Sequence, residues 1–189
     1  MRYIEEFSAR TDLESVAASI SDLLRCHDNT DLNADFPRFI ETYSQPNDVV
    51  IEHLQQILIR CQNGERQQFV AYADGRAVGM SVLCAATEAP GYINPAWPNT
   101  SSLVCHPYRR QGIGHLSLRT RLAVVDEVYD GHAWTRVRAD NPASQRLVES
   151  HGFLPVQATD EHIFYTYDKQ GRNAGANGGS RVSSPRSGL

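Results

Sequence analysis

No stretch of this 189-residue chain holds eighteen consecutive apolar residues, so the sequence offers no membrane-spanning helix. Cysteine is scarce: Cys26, Cys61, Cys84 and Cys105 stand far apart, with no C-x-x-C pair. That spacing argues against a structural zinc site and gives no disulfide framework. Reduced thiols in a cytoplasmic protein are the expectation. The histidines His27, His53, His132, His151 and His162 are scattered without ligand spacing, so no metal is expected. Acids follow at once in Met1-Arg2-Tyr3-Ile4-Glu5-Glu6, and no apolar segment comes after them, so no signal peptide is expected. There is no internal repeat.

The net charge of −4 is unevenly placed. After Asp168 the chain carries Lys169, Arg172, Arg181 and Arg186 and no acid, so the rest is more acidic than the whole. An acidic body disfavours nucleic acid as a partner. With 41% apolar residues and this length, one domain with a real core is expected over residues 1–168. Residues 169–189, rich in Gly, Ser, Asn and Arg, read as a disordered basic tail.

Periodicity divides the body. Residues 2–8 alternate and read as a strand. Leu13, Val16, Ala17, Ile20, Leu23 and Leu24 recur at helical spacing, with Thr11 or Asp12 as cap. Residues 28–45 read as an irregular or partly helical linker. Val50, Leu54, Ile57, Leu58 and Cys61 mark a second helix, ended by Asn63-Gly64. Two strands, 68–73 and 77–84, flank the hairpin signal Asp74-Gly75. A loop rich in Pro and aromatics leads to a strand at 100–105. Residues 112–129 form a helix, with Leu116, Leu122, Ala123, Val125 and Val128 expected near its inner face. A strand at 134–139, a short helix at 142–151 capped by Asn141, and strands at 153–156 and 162–167 complete the pattern. This order makes an α/β sandwich on a mixed sheet.

The chemistry concentrates in Arg109-Arg110-Gln111-Gly112-Ile113-Gly114-His115, between an apolar strand and a helix. A helix start leaves backbone N–H groups without partners, and its dipole favours an anion. Glycines at 112 and 114 let a diphosphate approach those groups, and two arginines add charge. The bland alternative is ordinary turn chemistry. A P-loop is excluded because no Gly-x4-Gly-Lys-Ser/Thr occurs. The dinucleotide fingerprint fits poorly, since its third glycine would fall at Ser117.

At these residues the sequence resembles the GNAT superfamily of N-acetyltransferases. Arg109, Gly112 and Gly114 meet the signature Gln/Arg-x-x-Gly-x-Gly/Ala, preceded by Val104 and Tyr108. A second segment, Asn141 to Gly152-Phe153, resembles the family's Asn-x-x-Ala/Ser-x-x-Leu stretch. The resemblance implies a mostly antiparallel sheet flanked by helices, with two parallel strands splayed around a CoA cleft. It implies acetyl-CoA as co-substrate, an amine acceptor and, as often in the family, a homodimer. Backbone groups of Leu103 and Val104 are then expected on the pantetheine arm, with the Val104 N–H at the oxyanion. Arg109, Arg110, Gln111, Gly112, Ile113, Gly114 and His115 are expected at the pyrophosphate, and Asn141 and Ser144 along the cofactor.

Two departures matter. The family's tyrosine, which protonates the leaving thiolate, falls at Val148, so water, Tyr165, Tyr167 or Cys105 is left as substitute, or the thiolate leaves unprotonated. His106 stands where the family often has proline, which is displaced to Pro107. Glu88 and His106 are the candidate bases, each weighed against a solvated surface residue. Trp97 and Tyr92 are candidates for the acceptor pocket, against simple packing. Asp28, Asp31, Asp35 and Glu41 are candidates for holding a cationic substrate, against a solvated acidic loop. Three functions are weighed: an active N-acetyltransferase, a non-catalytic acyl-CoA sensor motivated by Val148, and a structural or nucleic-acid role through the basic tail, which the tail's shortness and the acidic body disfavour.

Overall fold

A computed structural model of the chain describes residues 1–26, 37–85 and 89–170. The strands are β1 (Arg2–Glu6), β2 (Arg66–Ala73), β3 (Arg76–Ala85), β4 (Pro98–Val104), β5 (His132–Arg138), β6 (Phe153–Ala158) and β7 (His162–Asp168). The helices are α1 (Leu13–Cys26), α2 (Pro37–Tyr43), α3 (Asn47–Gln62), α4 (Ile113–Val128) and α5 (Pro142–Ser150). Candidate base Glu88, the acids Asp28, Asp31 and Asp35, His27, and the tail from 171 onward lie outside the described residues. Within the expected tail, Lys169 is described, and its Nζ lies 2.9 Å from Asp126 Oδ2.

All strands form one sheet in the order β1-β2-β3-β4-β5-β7-β6. Every neighbouring pair is antiparallel except β4 and β5, which are parallel and touch in register only at Asn99 and Trp134. Beyond that point the two central strands diverge. The hairpin expected at Asp74-Gly75 joins β2 to β3, and both residues take positive φ, 52° and 79°. That pair of left-handed residues is what a two-residue turn matching the sheet twist requires.

Each sheet face buries its own core. On one face, Val16, Ala17, Ile20 and Leu23 of α1 and Val50, Leu54 and Ile57 of α3 pack on Val70, Met80 and Leu103. Their i, i+4, i+7 spacing makes one apolar stripe per helix. Asp12 supplies the α1 cap, its Oδ1 accepting from Ser15 N at 3.0 Å. On the other face, Leu118, Leu122 and Val125 of α4 and Val148 of α5 pack with Phe69, Leu83, Val137 and Phe153.

The inner face of α4 departs from expectation. Leu122 and Val125 are buried, but Ala123 is exposed and Val128 is 56% exposed. Ile113, Ser117, Leu118 and Arg121 complete the buried ridge. An apolar-only pattern passes over Ser117 and Arg121 because polar residues are rarely buried. Here both are satisfied by hydrogen bonds: Ser117 Oγ donates to Ser81 Oγ at 2.9 Å, and Arg121 bonds to β4. The segment 28–45 also contains the short helix α2, which leans on α1 and α3 and proves important for the site.

Candidate active site

The divergence of β4 from β5 fixes which backbone groups are available. Gly79 and Val104 face each other across β3 and β4, flanked by the bond from Cys105 N to Val78 O at 2.8 Å. In an antiparallel ladder this makes Gly79–Val104 a non-hydrogen-bonded pair. Val104 therefore turns its N–H and C=O away from β3, toward the gap, and Ser102 does the same two residues earlier. Leu103, in the intervening hydrogen-bonded pair, spends its backbone groups on Met80. The Val104 carbonyl accepts from Arg109 Nε at 2.9 Å, which ties the basic loop to the end of the strand.

Close approach of β3 and β4 depends on Gly79. A Cβ there would stand 2.5 Å from the Leu103 carbonyl oxygen, well inside contact distance. The register of β2 and β3 also slips beside it, leaving Val78 as an extra residue. Such a bulge increases local twist. It sits on the strand next to the splay.

The basic turn follows directly. Arg110 and Gly112 both have positive φ, 62° and 81°. Gly112 is the residue before α4, and no side chain caps that helix. Residues α4 begins with, Ile113, Gly114 and His115, thus carry the first-turn N–H groups that a helix leaves open. There is no acid in that turn. Two left-handed residues ahead of an uncapped, positively polarised helix end shape a concavity suited to an anion. Arg110, Gln111 and Gly112 are exposed there, Gly114 is half-buried against Leu147, and His115 lies 5.1 Å ring to ring from His151. Gln111 Nε2 donates to Pro107 O at 3.2 Å, bracing the turn from within.

Two cavities open on opposite faces of the sheet. The first, of 240 Å³, lies in the splay between β4 and β5 under α4 and α5, and Asn141, Ser144, Leu147 and Val148 line it. Asn141 Oδ1 accepts from Ser144 N at 3.1 Å, so its side chain caps α5 while lining this cleft. Arg121 lines it too. Its side chain is fully buried, with Nη1 on the Ser101 carbonyl at 3.1 Å and on Thr100 Oγ1, and Nε on the Ser117 carbonyl at 3.3 Å. Burial without a carboxylate partner pulls its pKa down to about 9, which leaves it cationic at neutral pH.

The second cavity, of 250 Å³, lies on the other face between α2, α3 and strands β2 to β4. Arg66, Gln68, Met80, Val82, Ser101 and Leu103 form its floor; Arg38, Phe39, Thr42 and Tyr43 of α2 and His53 and Ile57 of α3 form its wall. Ser101 and Ser102 line both cavities, so the two meet at the splayed strand. Sequence reasoning missed this wall. Its only signal was the i, i+4 spacing of His53 and Ile57, which sets a histidine at the exposed edge of the inner stripe of α3.

The ionisable groups of this second cavity are coupled. The His53 pKa is held below the ordinary histidine value, first by partial burial and then by the Arg66 guanidinium. Burial likewise pulls the Arg66 pKa down and pushes the Tyr43 phenol up. Tyr43 donates to Met80 Sδ at 3.2 Å.

Several expected residues stand elsewhere. Tyr165 is buried, and its hydroxyl donates to Glu149 Oε1 at 3.0 Å instead of lining either cavity. Burial and Glu149 push its pKa up to about 12. Tyr167 donates to Asp126 Oδ1 at 3.2 Å. Cys105 is sealed in the core, with burial raising its thiol to about 12. His106 is exposed just past the end of β4 and lines neither cavity. Trp97 stacks on His132 at 4.8 Å and Tyr92 packs edge-on to Phe164 at 5.8 Å, so both cover the β5–β7 half of the sheet. Glu41 lines a shallow depression outside α2, not the inner cavity. No cluster of His, Cys, Asp or Glu able to hold a metal occurs among the described residues. Nor is any described helix long and apolar enough to cross a membrane.

Comparison with known proteins places this architecture. No curated protein matches the sequence significantly. The fold is similar to that of RimL, a ribosomal L7/L12 alpha-N-protein acetyltransferase in complex with coenzyme A. That match has a TM-score of 0.64 at 17% identity, over 87% of this chain and 92% of that one. RimJ of Mycobacterium smegmatis, in complex with a CoA disulfide, matches at TM-score 0.65 and 14% identity, over 89% and 83%. An N-acetyltransferase of Staphylococcus aureus Mu50 matches at 0.61 and 20%, over 89% and 98%. The family model described as the acetyltransferase (GNAT) family matches residues 30–153. With its splayed parallel pair, its uncapped helix after a basic turn and this match over most of its length, the chain belongs to the GNAT acetyltransferase family.

Proposed function

We propose that the chain transfers an acetyl group from acetyl-CoA to a primary amine that enters between α2, α3 and the sheet. One observation carries this reading: a cleft in the splay and a cavity on the opposite face meet at Ser101 and Ser102. A thioester threaded through the splay and an amine in the second cavity would come together there. The diphosphate of the donor is assigned to the concavity from Arg109 to His115, and the pantetheine arm to the cleft beside Asn141 and Ser144.

In this reading the Ser102 N–H, facing the gap where the cavities join, polarises the thioester carbonyl. The Val104 N–H, nearer the basic turn, serves the pantetheine. The amine nitrogen attacks the carbonyl carbon, and the oxyanion of the tetrahedral intermediate rests on that preorganised donor. His53 takes the proton lost from nitrogen, directly or through a water, since its lowered pKa keeps it neutral at pH 7. The carbon–sulfur bond then breaks. Val148 offers no proton, so the sulfur departs as thiolate. Arg121, a buried cation in the same cleft, favours that charge. The products are the N-acetylated acceptor and CoA.

The test is thiol release by purified protein with acetyl-CoA and a panel of primary amines, alongside calorimetric titration with acetyl-CoA. The sensor alternative has Val148 in its favour. It predicts acetyl-CoA binding without amine-dependent thiol release. His53 and the second cavity favour turnover.

A further inference from the structure

Resting on that reading, we propose that the acceptor amine carries a carboxylate, and that Arg66 binds it on the floor of the second cavity. Arg66 lies on β2 opposite Cys84, on the face that the helices α2 and α3 cover. A guanidinium offers five donors. Only one of these has a partner among the described residues, Nη2 on Gln68 Oε1, while Nε is buried without any. No described carboxylate lines the cavity. Glu41 and Glu52 border only the shallow depression on the outer side, which shares Arg38, Thr42 and His53 with it.

A half-buried cation with unfilled donors and no counter-ion among the described residues is costly unless something supplies the charge. Arginine's planar fork matches a carboxylate, and one inner guanidinium balances one unit of negative charge. Arg38, exposed at the mouth, adds a second positive charge that would draw an anion in. Phe39, Ile57, Met80, Val82 and Leu103 give the lining an apolar share beside its hydroxyl and amide groups. Carboxylate at Arg66, amine toward Ser101 and an apolar side chain against α3 together describe a small α-amino acid of apolar type. A positive floor also favours the neutral amine over ammonium, and the neutral form is the nucleophile.

The experiment titrates L-leucine, L-leucinamide and 3-methylbutylamine into CoA-loaded protein by calorimetry, and follows thiol release with acetyl-CoA. Leucine is expected to bind at least ten-fold more tightly than leucinamide and tighter still than the bare amine. The more acidic amine of leucinamide biases thiol release against this result, so binding is read first. In Arg66→Gln the leucine-to-leucinamide ratio should collapse to under three-fold, with the acetyl-CoA dissociation constant confirming an intact fold. Arg66→Lys should restore part of it. Equal or tighter binding of leucinamide by the wild-type protein overturns the proposal, as does a ratio unchanged in Arg66→Gln. Failure to bind acetyl-CoA removes the acetyltransferase reading and this one with it. Acetyl-CoA-dependent turnover of uncharged amines alone removes only this one.

Discussion

Gly79→Ala sets two opposing effects against each other at the strand that shapes the site. Removing a glycine stiffens the unfolded chain, which by itself stabilises a protein by about 0.4–1 kcal/mol. Against this, the added Cβ would lie 2.5 Å from the Leu103 oxygen and 3.2 Å from Val104 Cα. Both are backbone atoms, so no side chain can swing aside. Ordinary contact would require β4 to retreat by about 0.9 Å from β3, and overpacking of this kind costs about 1–3 kcal/mol. The steric cost wins, for a net loss of about 1–2 kcal/mol. For a domain of this size that lowers Tm by roughly 3–7 °C.

The functional loss should exceed the stability loss. Retreat of Leu103 carries the Ser102 and Val104 N–H groups with it, and a displacement near 1 Å can cost about 100-fold in rate. Thermal melts and acetyl-CoA titrations on Gly79→Ala, with Gly91→Ala as comparator, are the assay. Gly91 has open space around its Cβ position, so its replacement should leave Tm unchanged or slightly raised. A Gly79→Ala protein that melts no lower than wild type and binds acetyl-CoA equally well would refute the assigned contact between β3 and β4.

Other perturbations test the loop and the base. Gly112→Ala should cost about 1–2 kcal/mol of stability through its positive φ and weaken acetyl-CoA binding less than a charged side chain there does. Gly112→Asp should weaken binding by at least about 100-fold, since a carboxylate at the helix start competes with the diphosphate; equal binding by the two variants in calorimetry would contradict a diphosphate there. Arg110→Gly should melt no lower than wild type, its φ of 62° being relaxed, while binding acetyl-CoA about 3–10-fold more weakly at low salt and less so at high salt. For His53, the neutral imidazole is the active form, so kcat/KM should rise with pH through a pKa below 6.5 and then level off. His53→Gln should lose that limb and fall about 10²–10⁴-fold, and Arg66→Met should move the limb upward; an unchanged profile in His53→Gln assigns the base elsewhere.

The elements of the fold were legible because local signals agreed with one another. Apolar spacing, the Asp74-Gly75 turn, the Asp12 and Asn141 caps and the basic turn all point to the same element order. What misled was the assumption that buried means apolar. Arg121 and Ser117 occupy the inner ridge of α4 because β3 and β4 present the Ser81 hydroxyl and the Thr100 and Ser101 oxygens to them. A pattern of side-chain hydrophobicity carries no record of which backbone oxygens will face it. The same blindness moved Ala123 and Val128 inward in the sequence reading and left Arg121 out of the chemistry.

The donor half of the site and the acceptor half differ in how they are encoded. The proposed diphosphate recognition, by consecutive backbone N–H groups, compresses into one run, Arg109 to His115, that stands out in the sequence itself. The proposed acceptor cavity is built from side chains converging from α2, α3, β2, β3 and β4, whose sequence positions run from Arg38 to Leu103. No spacing rule joins Arg66 to His53 or to Ser101; only the sheet register and the packing of two helices bring them together. The acidic residues of the 28–45 segment suggested a cationic acceptor because composition is all that a linear reading has there. Within the described part of that segment, Arg38 lines the cavity while Glu41 borders the open depression on its outer side, so in the proposed reading the described charge nearest the acceptor is opposite in sign to the composition around it.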